Sequence, residues 1–468
     1  MTISIGIDIG LTTSHTAVVM KDGRRCGRAF SVATTREGMD ELARRVEEQR
    51  TAADEAVSVV LEATGHAWVT ITAELQRRGM VVWLPSAALA MQKRSRAEAK
   101  SDSKDAERLA SHVFVQPERL NLAEVADPVR RSLKLVLSAR RRVVEESVQL
   151  QTAIWGHLQL LHPTLGKEFS RLNQVERALL KEKLDPFAVV AKGEAALRRF
   201  CEKHARCPLS DAWFDAVWKA YRTAHDFLSE LRKAGKMPVE IDDVQWTIAE
   251  LVDALEAVQE RDRAYQKRIE ALYARIDPTK LLENTVPGVG PLVAATIEAH
   301  VGDIERFQNI KAFVKYVGIA PGSHRSGKTI RDQPITKTGA NILKKHLYLA
   351  AEVARRTDPT LAALYSKAVA RHHRHAVIVV AHALARRIYA LLKERAAVSQ
   401  DAPAEEPIEY QYVAPDGRKL SHDEARAYIS EHFPPGEAKR RREGGRPTSS
   451  PSPKSREGTA GSPQAAPS

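Results

Sequence analysis

Ile3-Ser4-Ile5-Gly6-Ile7-Asp8-Ile9-Gly10, near the start of the chain, alternates branched apolar residues with small or polar ones. That period of two predicts a strand with Ile3, Ile5, Ile7 and Ile9 on one face. Its single charge, Asp8, needs a chemical reason in so apolar a run. Gly10-Leu11-Thr12-Thr13 turns into a second apolar run, His15–Met20, and Lys21-Asp22-Gly23-Arg24 carries a hairpin turn. Residues 36–50 and 65–78 have helical periodicity, and 57–61 and 80–84 read as short strands. A strand hairpin followed by βα units predicts a mixed sheet with helices on its faces.

Three further acids stand out. Glu62 ends the apolar run Val57-Ser58-Val59-Val60-Leu61-Glu62, and Asp102 and Asp105 lie in Lys100-Ser101-Asp102-Ser103-Lys104-Asp105-Ala106. Spaced i, i+3, Asp102 and Asp105 share one face of a helix. Singly, Asp102 and Asp105 are more often a solvated helix face, and a Glu after a strand is common. Together, carboxylates at two strand ends and on one helix can converge on a metal pair. Such hard oxygen donors suit Mg2+ or Mn2+ rather than zinc, and paired ions of this kind cut phosphodiester bonds.

The chain has 468 residues and a net charge of +13, with Lys and Arg spread along its length. That balance points to a polyanionic partner, most simply nucleic acid. Cys26, Cys201 and Cys207 form no CxxC pair, which fits a reducing compartment and a cytoplasmic location. No apolar run reaches the roughly 20 residues that span a bilayer. The N-terminus reads as a strand, not a signal peptide.

The length prior suggests about three domains, and the patterns divide the chain into an α/β part followed by α parts. Residues 1–127 carry the mixed sheet, and 128–280 are almost wholly helical. Within the latter, Val244, Ile248, Leu251, Leu255, Val258, Asp262, Tyr265, Ile269, Leu272 and Ile276 alternate steps of four and three, a heptad seam of coiled-coil type with one charged interruption. A looser stripe runs from Leu133 to Leu161. Pairing of the two long helices within the chain and pairing across a dimer are both open; the seam raises the expectation of a homodimer or tetramer. Trp213, Trp218 and Trp246 are expected in the core. Residues 281–395 form a second compact helical unit. Residues 396–433 hold a small hairpin, Glu409–Val413 with the turn Pro415-Asp416-Gly417. From 434 to 468 the chain is Pro, Ser, Gly and Arg rich and reads as a disordered basic tail, its Lys439-Arg440-Arg441-Arg442 run adding phosphate attraction.

The C-terminal unit carries its own pattern. Leu282–Ala295, with Val286-Pro287-Gly288-Val289-Gly290 at its centre, reads as helix, tight hairpin, helix. Gly288 and Gly290 permit close backbone approach, and the next helix starts with exposed N–H groups able to meet a phosphate. This resembles the helix-hairpin-helix DNA-binding motif. Tyr316-Val317-Gly318-Ile319-Ala320-Pro321-Gly322-Ser323-His324-Arg325-Ser326-Gly327-Lys328 follows, then Arg331 and Ile335-Thr336-Lys337-Thr338-Gly339-Ala340-Asn341. A Ser-Gly step among Arg325, Lys328, Arg331 and Lys337 is a phosphate-contacting turn. It is also a place where cations stabilise charge on an attacked phosphate. The run Arg371-His372-His373-Arg374-His375, with His382, reads as a solvated basic patch.

Taken together, these pieces resemble the transposases of the IS110 family of insertion sequences. Asp8 in Gly-Ile-Asp-Ile-Gly, Glu62 in Leu-Glu-Ala-Thr-Gly, and Asp102 and Asp105 in Ser-Asp-Ser-Lys-Asp-Ala match that family's DEDD domain. Val-Pro-Gly-Val-Gly, Phe307, Tyr-Val-Gly-Ile-Ala-Pro, Arg-Ser-Gly-Lys and Ile-Thr-Lys-Thr-Gly-Ala-Asn match its second transposase domain. The resemblance implies a RuvC/RNase H-like fold for the N-terminal part and a recombinase that excises and inserts a mobile element. It implies Ser326 as nucleophile, with Ser323 in reserve, working beside the DEDD carboxylates and Mg2+ or Mn2+. It also implies a structured guide RNA whose base pairing selects the DNA. The alternatives are a Holliday-junction-type nuclease in which metal-bound water attacks, and a DNA-binding scaffold without catalysis. Gly6–Thr13 also resembles the first phosphate loop of sugar kinases and actin-like ATPases, but the second Asp-x-Gly loop and the glycine-rich adenosine motif of those proteins are missing.

Overall fold

The computed structural model describes residues 2–434 except 11–13, 52–54, 64, 87–88, 90–100, 124–126, 170–171, 321–338, 371 and 399–409. The chain divides into two compact units, Met1–Asp127 and Pro128–Ser468.

In the first unit, strands β1 (Thr2–Asp8), β2 (Ser14–Lys21), β3 (Arg24–Ala33), β4 (Ala56–Leu61), β5 (Val81–Pro85) and β6 (Leu120–Leu122) form one sheet in the order β3-β2-β1-β4-β5-β6. β1, β2 and β3 are an antiparallel meander, β4 and β5 continue parallel to β1, and β6 closes the edge antiparallel to β5. Among the described residues, helices α1 (Arg36–Glu47), α2 (Ala67–Arg77) and α3 (Asp102–Val115) accompany the sheet. This mixed sheet with helices fits the RuvC-like expectation.

The period of two in β1 has different consequences on its two faces. Ile3, Ile5 and Ile7 are fully buried in the core that holds Leu42 and Val46 of α1 and Ile71 and Leu75 of α2. Ser4, Gly6 and Asp8 alternate to the other face. There Gly6 lies directly under α3: a Cβ added to it would stand 1.8 Å from the Ala106 carbonyl oxygen and 2.5 Å from the Ala110 nitrogen. Ser4 Oγ donates to the Ala110 carbonyl at 2.7 Å. Asp8 is therefore not set among the isoleucines, as the linear sequence suggests; it shares the small-residue face on which α3 packs.

The second unit begins with α4 (Pro128–Leu158), continues through α5 (Gln174–Glu182), α6 (Pro186–Lys192), α7 (Glu194–His204) and α8 (Asp211–Lys233), and returns along α9 (Ile241–Ile276). α4 and α9 run antiparallel. Leu133 and Leu137 share a core with Ile269 and Leu272, and further along Ile154 and Leu158 share one with Ile248 and Leu255. Between them Arg140 pairs with Asp262 at 2.8 Å, and Arg261 pairs with Glu146 at 2.8 Å. The charged interruption of the heptad seam thus has a partner in the same chain, and the seam is buried within the chain. It no longer supplies a reason for a dimer. Trp246 departs from the expected core position: it is 67% exposed on α9.

After α9 come α10 (Leu281–Thr285), α11 (Pro291–Val301), a 3-10 turn (Ile304–Arg306), α12 (Ile310–Val317), α13 (Asn341–Thr357), α14 (Pro359–Ala368) and α15 (His373–Ala397). The short hairpin β7 (Tyr412–Val413) and β8 (Lys419–Leu420) and helix α16 (His422–His432) follow. α15 is long and apolar enough to cross a membrane by length and composition alone, which the run-length reading missed. Here Val377, Val380, Leu384, Ile388 and Leu392 bury its apolar face in the core. Glu298, 1% exposed, ties the unit together through Arg395 at 2.7 Å and Arg130 at 3.3 Å. His373 is not merely solvated. It pairs with Glu352 at 2.8 Å and bonds the Tyr365 hydroxyl at 2.8 Å. The three cysteines are free. The tail from 435 onward, including Lys439–Arg442, lies outside the described residues.

Gly6→Ala forces α3 away from β1. We expect a loss of about 1–3 kcal/mol, the usual cost of overpacking, measured by urea unfolding; a parental midpoint would contradict this packing.

Candidate functional site

β1 and β4 are parallel neighbours with Ile7 opposite Leu61, so Asp8 and Glu62 leave the sheet at the same end of adjacent strands. α3 crosses the same strand in the opposite sense. Ser4 meets Ala110, and Gly6 meets Ala106. Two strand residues advance about 6.6 Å and four helical residues about 6 Å, so the two elements keep step. One step further brings Asp8 level with Asp102, in the first turn of α3. That turn also carries Asp105, 7% exposed, with Arg108 at 3.6 Å from its carboxylate. Asp102 is exposed, while Asp8 and Glu62 are half-buried. Arg25 of β3 secures the start of α3 through Glu107 at 2.8 Å and Ser103 at 3.4 Å.

The backbone thus brings the four sequence-selected acids toward one end of the sheet. Their all-oxygen donor chemistry suits a hard divalent cation. Among the described residues, however, no three His, Cys, Asp or Glu side chains stand together as a ready-made metal cluster.

In the second unit the expected helix, turn and helix are α10, Val286–Gly290 and α11, with α10 only five residues long. Gly288 faces inward: a Cβ there would meet the Ala350 carbonyl of α13 at 2.2 Å. Gly290, the N-cap of α11, has open space beside it. Ser326 and the reserve Ser323, with Arg325, Lys328, Arg331 and Lys337, lie in 321–338, outside the described residues. The two ends of that stretch meet. The Ala340 amide donates to the Tyr316 carbonyl at 2.8 Å, and a Cβ on Gly339 would stand 2.7 Å from the Gly318 Cα. Gly339 also has φ +113°, a conformation open to glycine.

The sequence reading missed a cationic group beside this loop base. Arg306 lies over the rings of Phe307 and Tyr316, 4.6 Å from each centroid, and reaches the His300 carbonyl at 3.4 Å. The Tyr316 hydroxyl donates to that same carbonyl at 2.7 Å. Burial, then the charges of Lys134 and His346, lower His300 to about 4. Although Lys134 as a residue is open to solvent, its ammonium is lowered, first by the protein crowding it and then by Arg306 and Arg131. His346 is lowered too, chiefly by burial. These residues come from α4, α11, the 3-10 turn and α13, and no local pattern links them.

Comparison with known proteins adds two kinds of likeness. Residues 5–163 match the family model described as "Transposase" for DEDD proteins of the IS110 type, and residues 281–366 match "Transposase IS116/IS110/IS902 family". The chain is similar to the insertion element IS110 uncharacterized 43.6 kDa protein of Streptomyces coelicolor, with 25% identity covering 66% of this chain and 74% of that protein. It is also similar to the insertion element IS116 uncharacterized 44.8 kDa protein of Streptomyces clavuligerus, with 23% identity covering 75% of this chain and 84% of that one.

NMR titration of His300 in the protein alone should give a pKa of about 4, so the ring is neutral at pH 7. Lys134→Ala should raise that value by removing a like charge. A midpoint at the ordinary value near 6.5 in the parent protein would contradict this environment.

Proposed function

The chain belongs to the IS110 family of insertion-sequence transposases, DNA-recombining enzymes, and on that premise we propose that Ser326 is its nucleophile and that Asp8, Glu62, Asp102 and Asp105 hold divalent cations beside the reacting phosphate. The observation that carries the acidic half is the matched step of β1 and α3, from Ser4–Ala110 to Gly6–Ala106. Continued, it brings Asp8 toward Asp102 with Glu62 on the neighbouring strand. A DEDD domain implies dependence on a divalent metal in general; Mg2+ or Mn2+ suits four carboxylates. Such ions lower the cost of charge building on the attacking and leaving oxygens.

Serine is a weak nucleophile until its proton is removed. In the proposed reaction Ser326 Oγ attacks phosphorus, its proton passes to a base, and the leaving strand oxygen takes up a proton. The phosphodiester bond is exchanged for a phosphoserine ester, so a new strand end can reverse the step without an external energy source. Arg325, Lys328, Arg331 and Lys337 stabilise the charge on the attacked phosphate. Gly290, at the open start of α11, contacts backbone phosphate, and Gly288 sets the turn that presents it. The helix-hairpin-helix character of this segment, a structured guide RNA that selects the DNA, and assembly as a homodimer or tetramer belong to the same proposal.

With DNA carrying the element ends, the parent protein should leave a covalent protein–DNA adduct on a denaturing gel. Ser326→Ala should abolish both adduct and recombination, whereas Ser323→Ala should retain both. Normal strand joining by Ser326→Ala would instead favour the nuclease reading, in which water attacks.

A further inference from the structure

We propose that Thr16 is a positioning residue of the acidic site, its hydroxyl steadying Asp8 and the hydrated cation that Asp8 would hold. The inference rests on the reading of Asp8, Glu62, Asp102 and Asp105 as a cation site. It adds a neutral residue from β2, a strand that carries none of the four acids.

The first argument is register. β1 and β2 pair antiparallel, with Asp8 directly opposite Thr16. On the other side of β1, Ile7 stands opposite Leu61 of β4, so Glu62 follows in line with Asp8. β3 extends the row, with Ser31 opposite Thr16. Glu62, Asp8, Thr16 and Ser31 therefore form one line across the end of the sheet. Asp8 has an acid on one side and a hydroxyl on the other. Directly opposed residues of an antiparallel pair have Cβ atoms about 4.5–5.5 Å apart, close enough for a hydrogen bond or one bridging water.

The second argument is the face. Val18 and Met20 pack with Ala106 and Ala110 of α3, whereas Ala17 and Val19 pack in the core on the opposite side of the sheet. Thr16 is two residues from Val18, so the period of two turns it to the α3 face, which Ser4, Gly6 and Asp8 share. It is half-buried, as Asp8 and Glu62 are.

The third argument is chemical. Threonine suits a strand, but the strand needs only the branched side chain, which valine supplies two residues on. What threonine adds is a hydroxyl that donates one hydrogen bond and accepts others. Mg2+ and ions like it keep several waters when held by few carboxylates. Those waters need acceptors, and ligating carboxylates need donors that fix their orientation. A hydroxyl beside Asp8 can supply both. Ser31 lies one strand further out, and its hydroxyl is in contact with that of Ser14. Thr16 is thus the hydroxyl of the row that adjoins an acid.

The test is calorimetric titration of Mn2+ into the full chain, comparing the parent with Thr16→Val, Thr16→Ala, Thr16→Ser and Ser31→Ala. Thr16→Val keeps the branched shape and removes the hydroxyl, so the fold should persist, which melting without metal checks. It should weaken Mn2+ binding about tenfold and shrink the rise in melting temperature that Mn2+ gives the parent. Thr16→Ala should repeat that loss without a branched side chain, in case valine disturbs the strand. Thr16→Ser should restore both readouts, and Ser31→Ala should leave both at the parental level. Parental Mn2+ affinity in Thr16→Val and Thr16→Ala, with binding lost in Asp8→Asn, would overturn the role of Thr16 and leave the cation site standing. Equal weakening in Ser31→Ala would overturn it too, since a loss shared along the row marks a polar surface and not a partner of Asp8. A parent chain that binds no Mn2+ would remove the cation reading itself, and the role of Thr16 with it.

Discussion

The close approach of β1 and α3 is the constraint on which the N-terminal unit depends. Gly6 has no side chain because the Ala106 carbonyl occupies that space. Ala106 and Ala110 are small for the same reason, and Ser4 satisfies the Ala110 carbonyl with its hydroxyl. Burial of Ile3, Ile5 and Ile7 on the opposite face anchors the strand. With strand and helix in backbone contact and running in opposite senses, the end of one meets the beginning of the other. That is where the acids are. Asp102 and Asp105 are also favoured electrostatically at a helix N-terminus, so a structural preference and the proposed chemical role agree at the same positions.

Much of this was legible in the sequence because it is local. Alternation along β1, the Asp22-Gly23 turn, the apolar end of β4 and the i, i+3 acids of α3 each depend on a few adjacent residues. The heptad seam of α9 was legible for the same reason, but its partner was not. Arg140 and Asp262 are 122 positions apart, and a seam does not say whether its complement lies in the same chain. Trp246 misled for a related reason: a large apolar residue on a helix is usually buried, yet its place on α9 is exposed. The inward turn of Gly288 could not be read either, since only the fold brings Ala350 against it. Lys134, His300, Arg306 and His346, whose charges act on one another, share no spacing and come from separate elements of the second unit.

The two units divide the work in different ways. The first offers carboxylates at the end of a sheet, where cations would gather. The second brings Tyr316 and Gly318 against Ala340 and Gly339, on either side of the stretch that carries the proposed nucleophile. The link between buried Glu298 and the part-exposed Arg130 and Arg395 joins α4, α11 and α15, and leaving the Glu298 carboxylate alone in the core would be costly.

Calorimetric titration of Mn2+ into the full chain addresses the acidic site most directly, because it reads cation binding without requiring DNA, RNA or a known target. The parent protein should bind Mn2+ saturably, with Asp8→Asn and Asp105→Asn both losing that binding while keeping the parental fold. Undiminished Mn2+ binding in both variants would contradict a cation site at the meeting of β1, β4 and α3.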